Sequence, residues 1–422
     1  MLELIKTIVY INDKTGTFGG TEEYLNSLSL FLKRQGIRSS IIYGESKGEL
    51  SDDIDDYFHL PELAVRDSTA NLAPKISEIL EHVAPDVVYI HNIFNPSVFK
   101  ALNTPERPYV VLFYLHDHYF TCLTELRMNS LQPNGVCERL LSEECLSQIT
   151  KGNCLKRFTE ASFDQGDLAI RQQLITALSS VDAVVVVSPY MKDLIIKHHP
   201  DIRKKVWFIP RQVRYRNLTD DGRVDAESLR MGFVGRITYE KGLHVALSAL
   251  ALLHTEQPVE FEIAGVIEHR DYWKRCEQII ARIHVENPNV KVTYKGELSY
   301  PKVDALYNTM DITIFPSLWG EPLGIVAAEA MCHGCAVIAS NVGGISLWLN
   351  EKTGILVEPD KPEAIVSAME RLASDSELMR RLARKGRRLV LEKFNEEQHL
   401  KTLNQILITT SFVKRKYKSR RD

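Results

Sequence analysis

Apolar residues along the chain fall into short unbroken runs, separated by polar segments of helical period. The first run is residues 7–11, TIVYI, followed by a polar, glycine-containing stretch from 12 to 20. From 21 to 34 the period changes. Leu25, Leu28, Phe31 and Leu32 share one stripe, which predicts an amphipathic helix stopped by Gly36. Residues 40–43 then read as a second strand. Strand, loop, helix, strand is the opening of a doubly wound parallel sheet. Apolar runs at 86–91, 109–115 and 181–187 extend it, and a helix at 191–198 follows the last. Unbroken runs, rather than alternating ones, fit strands covered on both faces.

Residues 214–229 are polar, hold Asp220-Asp221-Gly222, and read as a linker. A second set follows. Strands at 231–234, 261–264, 290–294, 312–315, 336–339 and 354–357 alternate with helices at 243–253, 273–284, 302–309, 322–332 and 362–373. A chain of 422 residues is long enough for two such domains. The pattern divides it into 1–212, 213–394 and a C-terminal helix with a basic tail at 395–422. The class is α/β throughout.

Composition adds limits. The charged fraction is 25% and the net charge −3, which argues against nucleic acid as a partner. No secretory signal is read at the start, and no window approaches about 18 uninterrupted apolar residues. The expectation is a cytoplasmic protein. Lys414, Arg415, Lys416, Lys418, Arg420 and Arg421 form a basic cluster. It is either a solvated tail or a weak peripheral contact with anionic lipid at the inner face of a membrane, at about 1 kcal/mol per basic residue. Four of the seven cysteines, Cys122, Cys137, Cys145 and Cys154, fall in one irregular stretch at about 117–160. They read equally as a closed structural zinc site and as thiols; no C-x-x-C knuckle decides it.

The chemistry lies mostly in the second half. Glu321 and Glu329 are eight positions apart, with Pro322 and Gly324 after the first. Pro322 suits the first turn of a helix, which would leave the N–H groups of Leu323, Gly324 and Ile325 free for an anion or sugar hydroxyls. Two carboxylates at such an end suit a vicinal diol; they also suit plain capping and dipole compensation. Gly235-Arg236 follows one strand, and Lys241-Gly242 lies five residues on. A guanidinium fork and a point charge there could hold a diphosphate and take up its charge as it departs. They also suit an ordinary solvated loop.

The segments FVGRITYEKGLHVAL and EPLGIVAAEAMCHGCAVIASNVGG resemble the retaining family 4 glycosyltransferases (glycosyl transferases group 1) of GT-B fold. The resemblance covers most of the second half. It implies two Rossmann-like doubly wound domains facing across a cleft, with 1–212 on the acceptor side and 213–394 binding the nucleotide sugar. It further implies that Arg236 and Lys241 bind the donor diphosphate near Gly235 and Gly265. Glu321 would contact the donor sugar, Glu329 the ribose, and the backbone at Glu297 and Leu298 the base. In the first half, Gly19-Gly20 resemble the family's glycine-rich loop, and His116 the histidine that touches the transferred sugar. Departures exist. Pro210-Arg211-Gln212 stands where the family writes Pro-Asn-Gly, so Arg211 could face the cleft. Gly265-Val266-Ile267 stands where it writes Gly-x-Gly.

The expectation is therefore retaining transfer of a sugar from a nucleoside-diphosphate donor to the hydroxyl of a glycan, lipid-linked, protein or small-molecule acceptor. No cofactor or catalytic metal is required, because Arg236 and Lys241 can take a cation's role. Alternatives are a non-hydrolysing nucleotide-sugar epimerase and an inactive sugar-nucleotide-binding partner of another transferase. The eight-residue spacing of the glutamates at one helix end does not fit a glycosidase pair.

Overall fold

The computed structural model describes residues 5–16, 19–66, 70–104, 107–132, 135–156, 161–213 and 227–418. The linker expected at 214–229 lies outside them up to 226, as do Arg420 and Arg421. The chain divides into two compact units. The first comprises 1–125, 139–211 and 397–422; the second comprises 126–138 and 212–396.

The first unit carries strands β1 (Thr7–Gly16), β2 (Arg38–Lys47), β3 (Asp56–His59), β4 (Val87–Ile90), β5 (Val110–Leu115), β6 (Ala183–Val186) and β7 (Val206–Phe208). All neighbours pair in parallel, in the order β3-β2-β1-β4-β5-β6-β7. The second carries β8 (Leu229–Val234), β9 (Val259–Ala264), β10 (Val290–Tyr294), β11 (Ile312–Phe315), β12 (Ala336–Ser340) and β13 (Ile355–Val357), again parallel, in the order β10-β9-β8-β11-β12-β13. Both sheets reverse direction of growth beside their first strand. In such sheets ligands bind beyond the carboxyl ends of the strands at that reversal, here β1/β4 and β8/β11. The unbroken runs are covered as expected: β4, β5, β6, β11 and β12 are buried at every residue.

The structure corrects several boundaries. β1 does not stop at 11. It continues to Gly16 because Asn12, Lys14 and Thr15 stay in register with Tyr43, Glu45 and Ser46 of β2. The helix expected at 322 begins at Ile325. Gly324 takes a left-handed conformation (φ +78°) before it, and Pro322 lies in the turn. Only glycine suits that position: an added Cβ would stand 2.3 Å from Ile345.

The stretch at 117–160 is not one loop. It contains a helix, Glu143–Thr150, and a hairpin-like pairing in which Cys137 N donates to the Arg127 carbonyl at 2.6 Å, the Arg127 guanidinium donates to the Cys137 carbonyl at 2.6 Å, and Met128 bridges Val136. Residues 126–138 group with the second unit, not the first. The final helix, Glu396–Lys418, groups with the first from Glu397. His399 fixes it there, bonding Pro210 O at 3.0 Å through Nδ1 and the Tyr24 hydroxyl at 2.9 Å through Nε2.

Candidate functional site

At the β8/β11 reversal of the second unit, loop geometry brings the expected charges together. Gly235 (φ +152°) ends β8, and Arg236 follows. Gly265 (φ +149°) ends β9 so close that a Cβ on it would meet the Gly235 carbonyl oxygen at 1.8 Å. One glycine at this second loop therefore suffices for the approach of the two strand ends. Tyr294 at the end of β10 donates its hydroxyl to the Gly265 carbonyl at 2.9 Å. Glu297 and Leu298 follow in the adjoining loop, the first exposed and the second half-buried.

Lys241 reaches Glu321. Its Nζ lies 2.5 Å from Oε1, with both side chains mostly buried. The same Oε1 accepts Ser317 Oγ at 2.8 Å and Trp319 Nε1 at 2.7 Å. Three donors on one oxygen fix the carboxylate. Among the described residues Oε2 has no partner, which leaves it for a ligand. The backbone is held as firmly. Gly344 N donates to the Glu321 carbonyl at 2.7 Å, and a Cβ on Gly343 (φ +56°) would stand 2.3 Å from that oxygen. Among the described residues the N–H groups of Leu323 and Gly324 donate to no carbonyl or side chain. Glu329 is half-buried on the helix that follows, in its second turn. Arg236, just past β8, has Nη1 on Glu268 Oε2 at 2.7 Å and Nη2 on Glu240 Oε1 at 3.1 Å.

The first unit carries its own set at β1/β4/β5. The helix Gly20–Arg34 starts with Gly19 at its N-cap and no side chain capping it. Arg211 does not stand free: its Nη2 donates to the Gly20 carbonyl, and a Cβ on Gly20 would crowd Nη1 at 2.8 Å. His116, just past β5, is half-buried. Burial, then the neighbouring His91 and Arg211, hold its imidazole well below the usual histidine range, so it is neutral. Its Nε2 lies 2.8 Å from His91 Nδ1.

Cys137 lies in the hairpin of the second unit, whereas Cys122, Cys145 and Cys154 belong to the first. Cys122 Sγ contacts Thr124 Oγ1 at 3.4 Å, and Cys145 Sγ points to Leu140 O at 3.7 Å. Among the described residues no group of three or more His, Cys, Asp or Glu is placed to hold a metal.

Comparison with known proteins accounts for nearly all of this frame. The profile for Glycosyltransferase Family 4 matches residues 18–214, and that for Glycosyl transferases group 1 matches residues 217–389. The chain belongs to the group 1, family 4 glycosyltransferases. An uncharacterized glycosyltransferase of Methanocaldococcus jannaschii is 32% identical over 39% of this chain and 40% of its own length, so the chain spans less than half of that relative. Spore coat protein SA of Bacillus subtilis is 26% identical over 73% of this chain and 88% of its own. A glycosyltransferase of Rickettsia africae superposes with a TM-score of 0.70 at 20% identity, covering 96% of this chain and 98% of its own. Anabaena HepE in complex with UDP and glucose gives 0.67 at 17% identity, with 96% and 99% covered. The fold of this family member is thus GT-B, with two Rossmann-like domains. No helix among its described residues is long and apolar enough to cross a membrane.

Sequence reasoning had missed Ser317 and Trp319, the donors that hold Glu321, and Glu268, which pairs with Arg236. A signal was present for the first two. A serine four places and a tryptophan two places before a glutamate, on the strap leaving a buried strand, can turn their donors toward it.

Proposed function

We propose that the protein is a retaining glycosyltransferase, moving a hexose-type sugar from a nucleoside-diphosphate sugar to an acceptor hydroxyl in the building of a glycan or glycoconjugate. The observation that carries this is the Glu321 carboxylate, pinned through Oε1 by Lys241, Ser317 and Trp319 with Oε2 left open. Arg236 and Lys241 would bind the diphosphate. The Arg236–Glu268 pair is partly exposed, so a ligand with two negative charges can displace it at a cost of about 0–1 kcal/mol. Glu321 Oε2 would accept a sugar hydroxyl, and Glu329 would accept the ribose diol. His116 would touch the transferred sugar.

In this mechanism the bond from anomeric carbon to phosphate oxygen breaks, and the two cations take up the charge that collects on the diphosphate. The acceptor oxygen forms its bond on the same face, and its proton passes to a phosphate oxygen. The enzyme supplies orientation and charge stabilisation rather than a nucleophile. The basic residues of the last helix would give a peripheral contact with anionic lipid.

The test is turnover of a panel of nucleoside-diphosphate sugars, with anomeric configuration read by NMR at early times. An α-linked donor should give an α-configured product, and Lys241→Ala should abolish release of the diphosphate. An inverted product would refute retention. No release from any donor would refute the transferase assignment.

A further inference from the structure

We infer that His91 is a positioning residue for His116, fixing which of its ring nitrogens carries the proton. The inference rests on the proposed sugar contact of His116. His91 is the first residue past β4 and His116 the first past β5, two neighbouring parallel strands at the reversal of the first sheet. The His91 N–H donates to the Ile11 carbonyl on β1 at 2.9 Å, which fixes its backbone. The two rings lie 5.1 Å apart at 32°, with His91 Nδ1 2.8 Å from His116 Nε2.

The surroundings make both imidazoles neutral. Tyr24, Tyr89 and Tyr114 stand around His91 at 5.7, 4.5 and 5.8 Å between ring centres, and His91 is 1% exposed. Burial, with a smaller contribution from the neighbouring His399, pushes His91 down to about 3. Burial, His91 and Arg211 act in the same direction on His116. Two neutral imidazoles joined nitrogen to nitrogen need one donor and one acceptor.

The far nitrogen of His91 decides which is which. Its Nε2 is buried without a hydrogen-bond partner among the described residues. If His91 accepted, its proton would sit on Nε2 as an orphaned N–H, which folded proteins avoid more strictly than an unused lone pair. So His91 donates through Nδ1–H, and His116 accepts through Nε2. The proton of His116 then sits on Nδ1, which has no partner among the described residues. His116 is half-buried, so this N–H remains a donor for a hydroxyl or ring oxygen of the transferred sugar. Without His91 the ring could exchange tautomers and turn an acceptor toward the same oxygen.

The test is the two-bond ¹⁵N–¹H spectrum of histidine-labelled full-length protein. Wild type should show His116 as the Nδ1–H tautomer. His91→Phe, which keeps a ring but no donor, should lose that signature. His91→Gln, whose amide can donate, should retain it. In turnover, His91→Phe should lower kcat by about 10-fold or more while nucleotide affinity stays within about 2-fold, and His91→Gln should recover most of the rate. An Nε2–H tautomer in the wild type would overturn the assignment whether or not either variant folds. Full activity in His116→Ala would instead overturn the sugar contact itself, a separate failure from that of the tautomer.

Discussion

Replacing Trp319 with phenylalanine removes one donor from Glu321 while keeping an aromatic ring. Trp319 Nε1 lies 2.7 Å from Oε1, and the ring centre 5.0 Å from Lys241 Nζ. A hydrogen bond to a charged group contributes about 1.5–3 kcal/mol, and phenylalanine keeps part of the cation–π contact. Lys241 and Ser317 still donate to the same oxygen, so the low end applies. The expected loss is about 1.5 kcal/mol, or roughly 10-fold in kcat/KM for donor turnover. Ser317→Ala should cost a similar amount. The double variant should lose more than the sum, because Lys241 would then be left alone to orient the carboxylate. The assay is steady-state release of nucleoside diphosphate, with far-UV CD to show that each variant folds. A Trp319→Phe enzyme within about 2-fold of wild type would refute the claim that these donors fix a working carboxylate.

Other outcomes follow from the same geometry. Gly242→Ala should lower thermal stability by about 1–3 kcal/mol or more, read as Tm, because φ is +72° and a Cβ would stand 1.9 Å from the Pro316 carbonyl oxygen. Glu268→Gln should bind nucleoside diphosphate about 2- to 5-fold more tightly by calorimetry, since Arg236 no longer has to leave a carboxylate. Stability should fall on acidification. Burial holds His91 down to about 3 and His399 down to about 4, against 6.5 for the free side chain. The unfolded chain therefore binds these protons first, and stability is full above 6.5 and lost as pH falls below it. Asp13, raised to about 7 by burial and by Glu22, acts oppositely and opposes part of that loss. His399→Gln should flatten the acid limb, by up to about 1.4 kcal/mol per pH unit.

Much of the fold was legible because parallel strands buried on both faces write themselves as unbroken runs, such as VVYI and AVVVV. The ends of elements were less so. Residues 12–16 are polar and read as loop, yet pairing with β2 keeps them extended. Pro322 is an ordinary helix opener, but the left-handed turn at Gly324 moves the start to Ile325. In the site, charge and spacing singled out Arg236, Lys241 and Glu321 but left capping and a solvated loop open, and only the family resemblance gave them roles. The donors on Glu321 come from a strap whose path no local pattern encodes. His91 was hidden for a related reason: one histidine ending an apolar strand carries no mark of its neighbour, and only sheet order brings β4 beside β5.

The central claim is that Lys241 and its neighbours form a nucleoside-diphosphate site, and thermal unfolding with UDP, GDP, ADP and dTDP tests it most directly. At a concentration of 100 Kd a ligand that binds only the folded state adds about 2.7 kcal/mol, a rise in Tm of several degrees at most. One of the four nucleotides should raise the Tm of the wild type, and Lys241→Ala should lose that rise. No shift with any nucleotide, or an equal shift in the variant, would contradict the account.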